Sequence, residues 1–200
     1  MSLKQFVSLL LTVLSLTLFS CQSTKPTQFG ARPAERLLSS DRASSPEQID
    51  LDVTQALDSL YANQPEAKEL GQKAYGILVF PNILKGGFML GAQYGTGALR
   101  KGNTTEGYYK TVAASYGMQA GVQTFGYALF FMSQSALDYL HSSKGWEIGM
   151  GPSIVVVDAG MAKTMTTTTR KADVYSFIFD QKGMMAGLGL QGSKIYPIKP

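Results

Sequence analysis

The chain has one cysteine, one histidine and one tryptophan in 200 residues, and only 16% of it is charged. A single cysteine excludes an intramolecular disulfide. Taken with a single histidine, it also excludes the usual zinc ligand sets. No GxSxG nucleophile elbow occurs. The net charge of +4 is far from the dense basic stripe of a nucleic-acid binder, so no nucleic-acid partner is expected. It amounts to a mild attraction towards an anionic membrane surface. What the sequence does have is glycine, 21 residues of it, and 44% hydrophobic content. That is enough for one domain with a real core, and it leans towards β structure.

Residues 1–20 read as an export signal. Lys4 supplies the positive start, and Phe6–Phe19 an apolar run of about 14 residues, short of the roughly 20 that a permanent span needs. Leu18-Phe19-Ser20-Cys21 resembles the bacterial lipobox, in which the cysteine becomes the acylated N-terminus, with palmitate among its chains. Cys21 is therefore the expected lipidation site. Gln22 follows it where an aspartate would favour retention at the inner membrane, which points to a lipid-anchored protein of the outer membrane facing the periplasm. Residues 21–45 then shift to Ser, Thr, Pro, Gln, Arg and Ala, the composition of a tether that cannot bury much apolar surface.

The domain is expected over residues 46–200. Ser45-Pro46-Glu47-Gln48 is a helix start, with a capping serine, proline at the first position and Gln48 placed to close a capping box. Ile49, Val53, Ala56, Leu57, Leu60 and Tyr61 form one apolar stripe, with Asp50, Asp52 and Asp58 off it. A second short helix is expected over Pro65–Lys73.

Gly76–Leu99 carries the main pattern: an apolar run, a break at Pro81-Asn82, then a strand with two unlike faces. Phe88, Leu90, Ala92, Tyr94 and Ala98 share one face, which reads as the packed one. Gly87, Gly91, Gln93, Gly95 and Gly97 share the other. The pattern recurs in Gly117–Gln123 and in Gly187–Gln191. The Gly/Gln face is either coiled tightly against neighbouring backbone or open as a groove. Gly102-Asn103 reads as a turn between strands, Gly107–Thr124 and Phe125–Met132 as the strands that follow, and Ser133–His141 as a brief helix. Ser153–Asp158 reads as a strand buried on both faces. The Thr166–Thr169 run reads as an exposed strand or hairpin, with Asp173–Asp180 and Met184–Ile198 last. Without repeated crossover helices, the expected class is α+β. It would be a strongly curved, mainly antiparallel sheet or barrel-like β domain, with N-terminal helices packed on it.

Chemistry is sparse. Gly187–Gly192 fits GxGxxG, but only Ser193–Pro200 remains after it, with two prolines where a phosphate-binding helix would be needed. His141 ends a short helix, a usual place for a cation. Nothing pairs Glu147, Asp158, Asp173 and Asp180 for acid–base work. No catalytic residue, metal site or cofactor is expected.

Several blocks in order carry a family resemblance: GILVFP (76–81), KGGFMLGAQYGTGAL (85–99), SYGMQAGVQ (115–123), LFFM (129–132), GWEIG (145–149), DVYSF (173–177) and KGMMAGLGLQG (182–192). Together they resemble the SYLF-domain family, many bacterial members of which are small exported lipoproteins. The resemblance implies lipid binding, with phosphoinositide and actin binding among eukaryotic relatives, and no established catalytic set. Gln191 stands where many relatives carry Glu. For contact with phospholipid headgroups, the basic residues near expected turns are Lys85, Arg100, Lys101, Lys144 and Lys171. The leading expectation is a non-catalytic phospholipid-binding domain on an envelope lipoprotein. The alternatives are a structural or protein-interaction module holding an envelope partner, and an enzyme on lipid or cell-wall substrates.

Overall fold

The computed structural model describes residues 45–157 and 172–200. The expected signal (1–20), the anchor Cys21, the tether up to residue 44, Asp158, the Thr166–Thr169 run and Lys171 lie outside the described residues. Helix α1 spans Pro46–Asn63 and α2 Pro65–Gly71, followed by β1 (Gly76–Lys101) and β2 (Thr104–Phe131). Helix α3 (Gln134–Ser142) comes next, then β3 (Trp146–Glu147), β4 (Ile154–Val157) and β5 (Val174–Ile198). One sheet runs in the order β1-β2-β5-β3, with β4 also on β5. All described pairings are antiparallel except β4 with β5. The class is the expected α+β, a strongly curled half-barrel sheet with helices N-terminal to it.

Helix α1 starts as its sequence requires: the Gln48 amide donates to Ser45 Oγ at 3.3 Å, with Pro46 in the first turn. The capping box itself does not close, because Gln48 Nε2 donates instead to Asp52 Oδ1 at 2.7 Å. Helix α2 ends at Gly71, earlier than expected, and Ala74 packs from the connection beyond it. Ser133 caps α3 as expected, accepting from the Ala136 amide.

The strands are longer than the sequence suggests. Pro81-Asn82 does not break β1 but bulges it, with a register shift between Phe80 and Ile83. Thr124–Gly126 marks a similar shift inside β2, and Asp173–Asp180 and Met184–Ile198 join into β5. A straight strand of 26 residues would reach roughly 85 Å, several times the radius of a domain this size. The strands therefore bend. Positive φ at Met89 (60°) in β1, Gly121 (139°) in β2, and Asp180 (50°) and Gly183 (88°) in β5 marks the corners. Beyond its corner, β1 lies back over its own first half. A Cβ on Gly97 would land on the Val79 carbonyl, and one on Gly95 would sit 2.8 Å from Ile83 Cγ1. Only glycine permits that approach.

Two clusters hold the fold. On the helix-bearing side, Ile49, Val53, Leu60, Ala67 and Leu70 pack on Val79, Ala98, Ala128, Phe130 and Phe177. On the concave side, Leu78, Phe80, Ile83, Leu99, Leu129 and Phe131 pack with Leu137 and Leu140 of α3 and with Trp146. Every buried apolar residue among those described falls between Ile49 and Ile195. Strand β4 is not buried on both faces as expected. Val157 is buried but Val156 is exposed, because β4 pairs at the sheet margin.

Candidate functional site

Period-2 alternation places Gly87, Gly91, Gln93, Gly95, Gly97 and Leu99 on one face of β1, and that face is the concave interior. Gln93, Thr111 and Ser115 are buried there. Near the open end the interior leaves a cleft of about 290 Å³. Its polar lining includes Lys85, Gln93, Thr111, Gln123, Gln181 and Ser193, and Phe125, Tyr127 and Ile178 add apolar wall. The Gly/Gln face is thus both of the alternatives that its sequence allows. It is packed backbone at Gly95 and Gly97, and a groove beside Gln93 and Gln123. Burial holds the Tyr127 hydroxyl above its ordinary pKa, and a hydrogen bond with Ser176 opposes this.

The opposite face corrects the sequence reading. Phe88, Leu90, Ala92 and Tyr94, expected to pack, are exposed: Phe88 by 75% and Leu90 by 67%. Helices α1 and α2 cover this convex face only near Ala98, Val79 and Ala128. Where the helices stop, the apolar face continues uncovered. Leu90 pairs with Tyr116, Tyr94 with Val112 and Val122 with Met184. All six of these side chains are exposed, as are Phe88 and Met89 at the corner. At about 150–250 Å² for each large aromatic and somewhat less for the aliphatics, the patch is on the order of 1,000 Å². That is about twice the largest patch of a typical monomer.

Charge beside the patch is mostly basic. Residues 81–105, 107–137 and 181–200 contain no aspartate or glutamate, but they carry Lys85, Lys101, Lys110, Lys182, Lys194 and Lys199 with Arg100. By register, Lys110, Lys182 and Lys194 share the convex face with Val112, Val122 and Met184. Lys110 and Lys194 lie over the Tyr196 ring, 5.9 and 5.6 Å from its centroid. Six of the eleven carboxylates in the described residues lie instead on α1 and α2: Glu47, Asp50, Asp52, Asp58, Glu66 and Glu69.

The five basic residues expected at headgroups do not converge. Lys85 lines the cleft, whereas Arg100 and Lys101 lie at the other end of β1, beside the Gly102-Asn103 turn. Lys144 is exposed after α3, and Lys171 lies outside the described residues. Arg100 is largely enclosed: its Nη2 donates to the Asp50 carbonyl at 2.9 Å and to Thr54 Oγ1 at 2.8 Å, tying α1 to the sheet. Asp50 in turn accepts from Thr105 at 2.6 Å and from Tyr108 at 3.1 Å. Sequence reasoning missed Lys110, Lys182 and Lys194 because it looked near turns. The alternation that places them beside exposed apolar residues was available. His141 Nε2 lies 3.9 Å from Glu106 Oε2 on the surface. Among the described residues, no group of three or more His, Cys, Asp or Glu side chains could hold a metal.

These features define an α+β domain with a folded-over sheet and one large, lysine-fringed apolar face. Residues 112–199 match the family model described as Ysc84, Las17-binding protein actin regulator. This is the SYLF-domain family that the ordered blocks resemble, a family related to lipid binding and actin regulation. The match runs from the second half of β2 through β5 and includes Val112, Tyr116, Val122 and Met184 of the exposed face. No curated protein matches the chain.

Proposed function

We propose that this chain is a lipid-anchored bacterial envelope protein whose domain binds phospholipid without catalysing a reaction, on an outer membrane that Cys21 also engages. The observation that carries this reading is the convex face. Apolar surface of that size has a large hydrophobic driving force for cover, and the lysines that share its face suit anionic headgroups. Acyl chains on Cys21 would hold the protein at a bilayer, and a second apolar contact strengthens such attachment.

Residues 22–200 retain every described residue while removing the anchor. Sedimentation with vesicles of mixed zwitterionic and anionic phospholipid tests the reading: the protein pellets with the vesicles, and less so at high salt. If it stays in the supernatant, the domain has no lipid affinity of its own. The Las17-binding description of the matched family supports a second reading, that of an interaction module for an envelope protein. Crosslinking in intact cells that captures one protein, with no vesicle binding, would favour it.

A further inference from the structure

A second concavity lies between α1, α2 and the place where the two ends of β1 meet, with Gly76 beside Leu99. Its volume is about 470 Å³, within the range of small-molecule sites. Two cations line it, Lys68 and Arg100, against one carboxylate, Asp58. Arg100 Nε is enclosed and has no hydrogen-bond partner among the described residues. A buried donor left unpaired is costly, and in native proteins such a group calls for a specific explanation. The Arg100 charge is also weakly balanced, because Asp50 Oδ1 is 4.0 Å away and is already engaged by Thr105. Tyr61 reaches the same space. Its hydroxyl makes no hydrogen bond among the described residues, and burial, then the Asp58 charge, hold its pKa above the ordinary value. The rest of the wall is mixed: Thr54, Gln72 and Asn103 are polar, and Leu57, Ala74 and Ile77 form its apolar part.

We propose that this pocket binds the oxyanion head of a single-chain amphiphile, a phosphate or carboxylate whose alkyl tail lies along Leu57 and Ile77. Arg100 and Lys68 supply the charge and Tyr61 a hydroxyl donor. The inference does not rest on the convex face, which shares no lining residue with the pocket.

Calorimetric titration of residues 22–200 tests it with three probes: decyl phosphate below its micelle concentration, inorganic phosphate and decanol. Decyl phosphate is expected to bind at least about tenfold more tightly than either of the others, since only it offers both the charge and the tail. Lys68 is exposed on α2, so Lys68→Glu keeps the fold and weakens decyl phosphate by about tenfold or more. Arg100→Lys, checked for an unchanged melting temperature, weakens it too. The proposal is overturned if decyl phosphate does not bind, or if decanol or inorganic phosphate binds as tightly as decyl phosphate. Indifference to Lys68→Glu overturns it equally. Vesicle binding measured on the same sample reports on the convex face, so the failure of one reading is separable from the failure of the other.

Discussion

Replacing Phe88 and Leu90 together by serine removes two well-exposed side chains at the corner of the convex face. Phe88 is 75% and Leu90 67% exposed, so the folded protein loses little packing, and stability should move by no more than about 0.5 kcal/mol. Fully burying a side chain of this kind contributes about 1.5–3 kcal/mol. The exposed fractions leave about 1–2 kcal/mol available from each when a bilayer covers it. An interfacial contact buries roughly half of a protruding face, so the pair should contribute about 1–2 kcal/mol to membrane partitioning. One factor of ten corresponds to about 1.4 kcal/mol, which makes the expected loss about 5- to 30-fold. The measurement is the vesicle partition coefficient of residues 22–200 with and without the substitutions, with thermal unfolding run alongside. If the parent protein binds and the double variant binds within about twofold of it, the convex face is not the contact surface.

Two further substitutions test the fold that presents this face. Gly97→Ala places a Cβ on the Val79 carbonyl, backbone that cannot swing aside, and should cost about 3 kcal/mol, read as a lowered urea midpoint. A midpoint unchanged by Gly97→Ala would mean that the two halves of β1 do not lie together. Asp173 accepts from the Ser153 hydroxyl at 2.8 Å and from its amide at 3.1 Å, and those bonds hold its pKa below the usual carboxylate value. With the folded pKa depressed, the contribution is present above the unfolded value near 4 and is lost as pH falls through the folded one. Asp173→Asn should therefore lower the melting temperature at pH 7, and the gap from the parent should close under acid conditions. A gap independent of pH would refute the assignment.

The sequence made much of this legible. Ser45 and Ser133 announced their helices, the stripe from Ile49 to Leu60 matched the buried face of α1, and the alternation from Gly87 to Leu99 sorted residues correctly between two faces. Which face points inward was not legible. Alternation gives partition but not sign, and the usual rule that apolar side chains go inside pointed the wrong way for Phe88, Leu90 and Tyr94. The sign is decided by a contact between residues 79–83 and 95–97 of one strand, and no local pattern encodes that contact. Strand continuity was missed for a related reason. Pro81 and Asp180 look like ends, yet a bulge and a positive φ absorb them within longer strands.

The glycine face and the exposed apolar face are one fact seen from two sides. Closing β1 over itself requires bare backbone at Gly95 and Gly97, so the side chains of that segment stand on the convex side. Helix α1 has 18 residues, about 27 Å of length, and it is anchored through Arg100 and Asp50 at the hairpin end of β1. From there it covers Ala98 and Val79 but leaves Tyr94, Leu90 and Phe88 bare. Small or polar residues there would close the sheet equally well, since the folding contact is made on the other face. Apolar side chains at these positions are not needed by the fold and carry a solubility cost. Their presence in register on three neighbouring strands, with Lys110, Lys182 and Lys194 on the same face, is better accounted for by a surface that comes to lie against lipid.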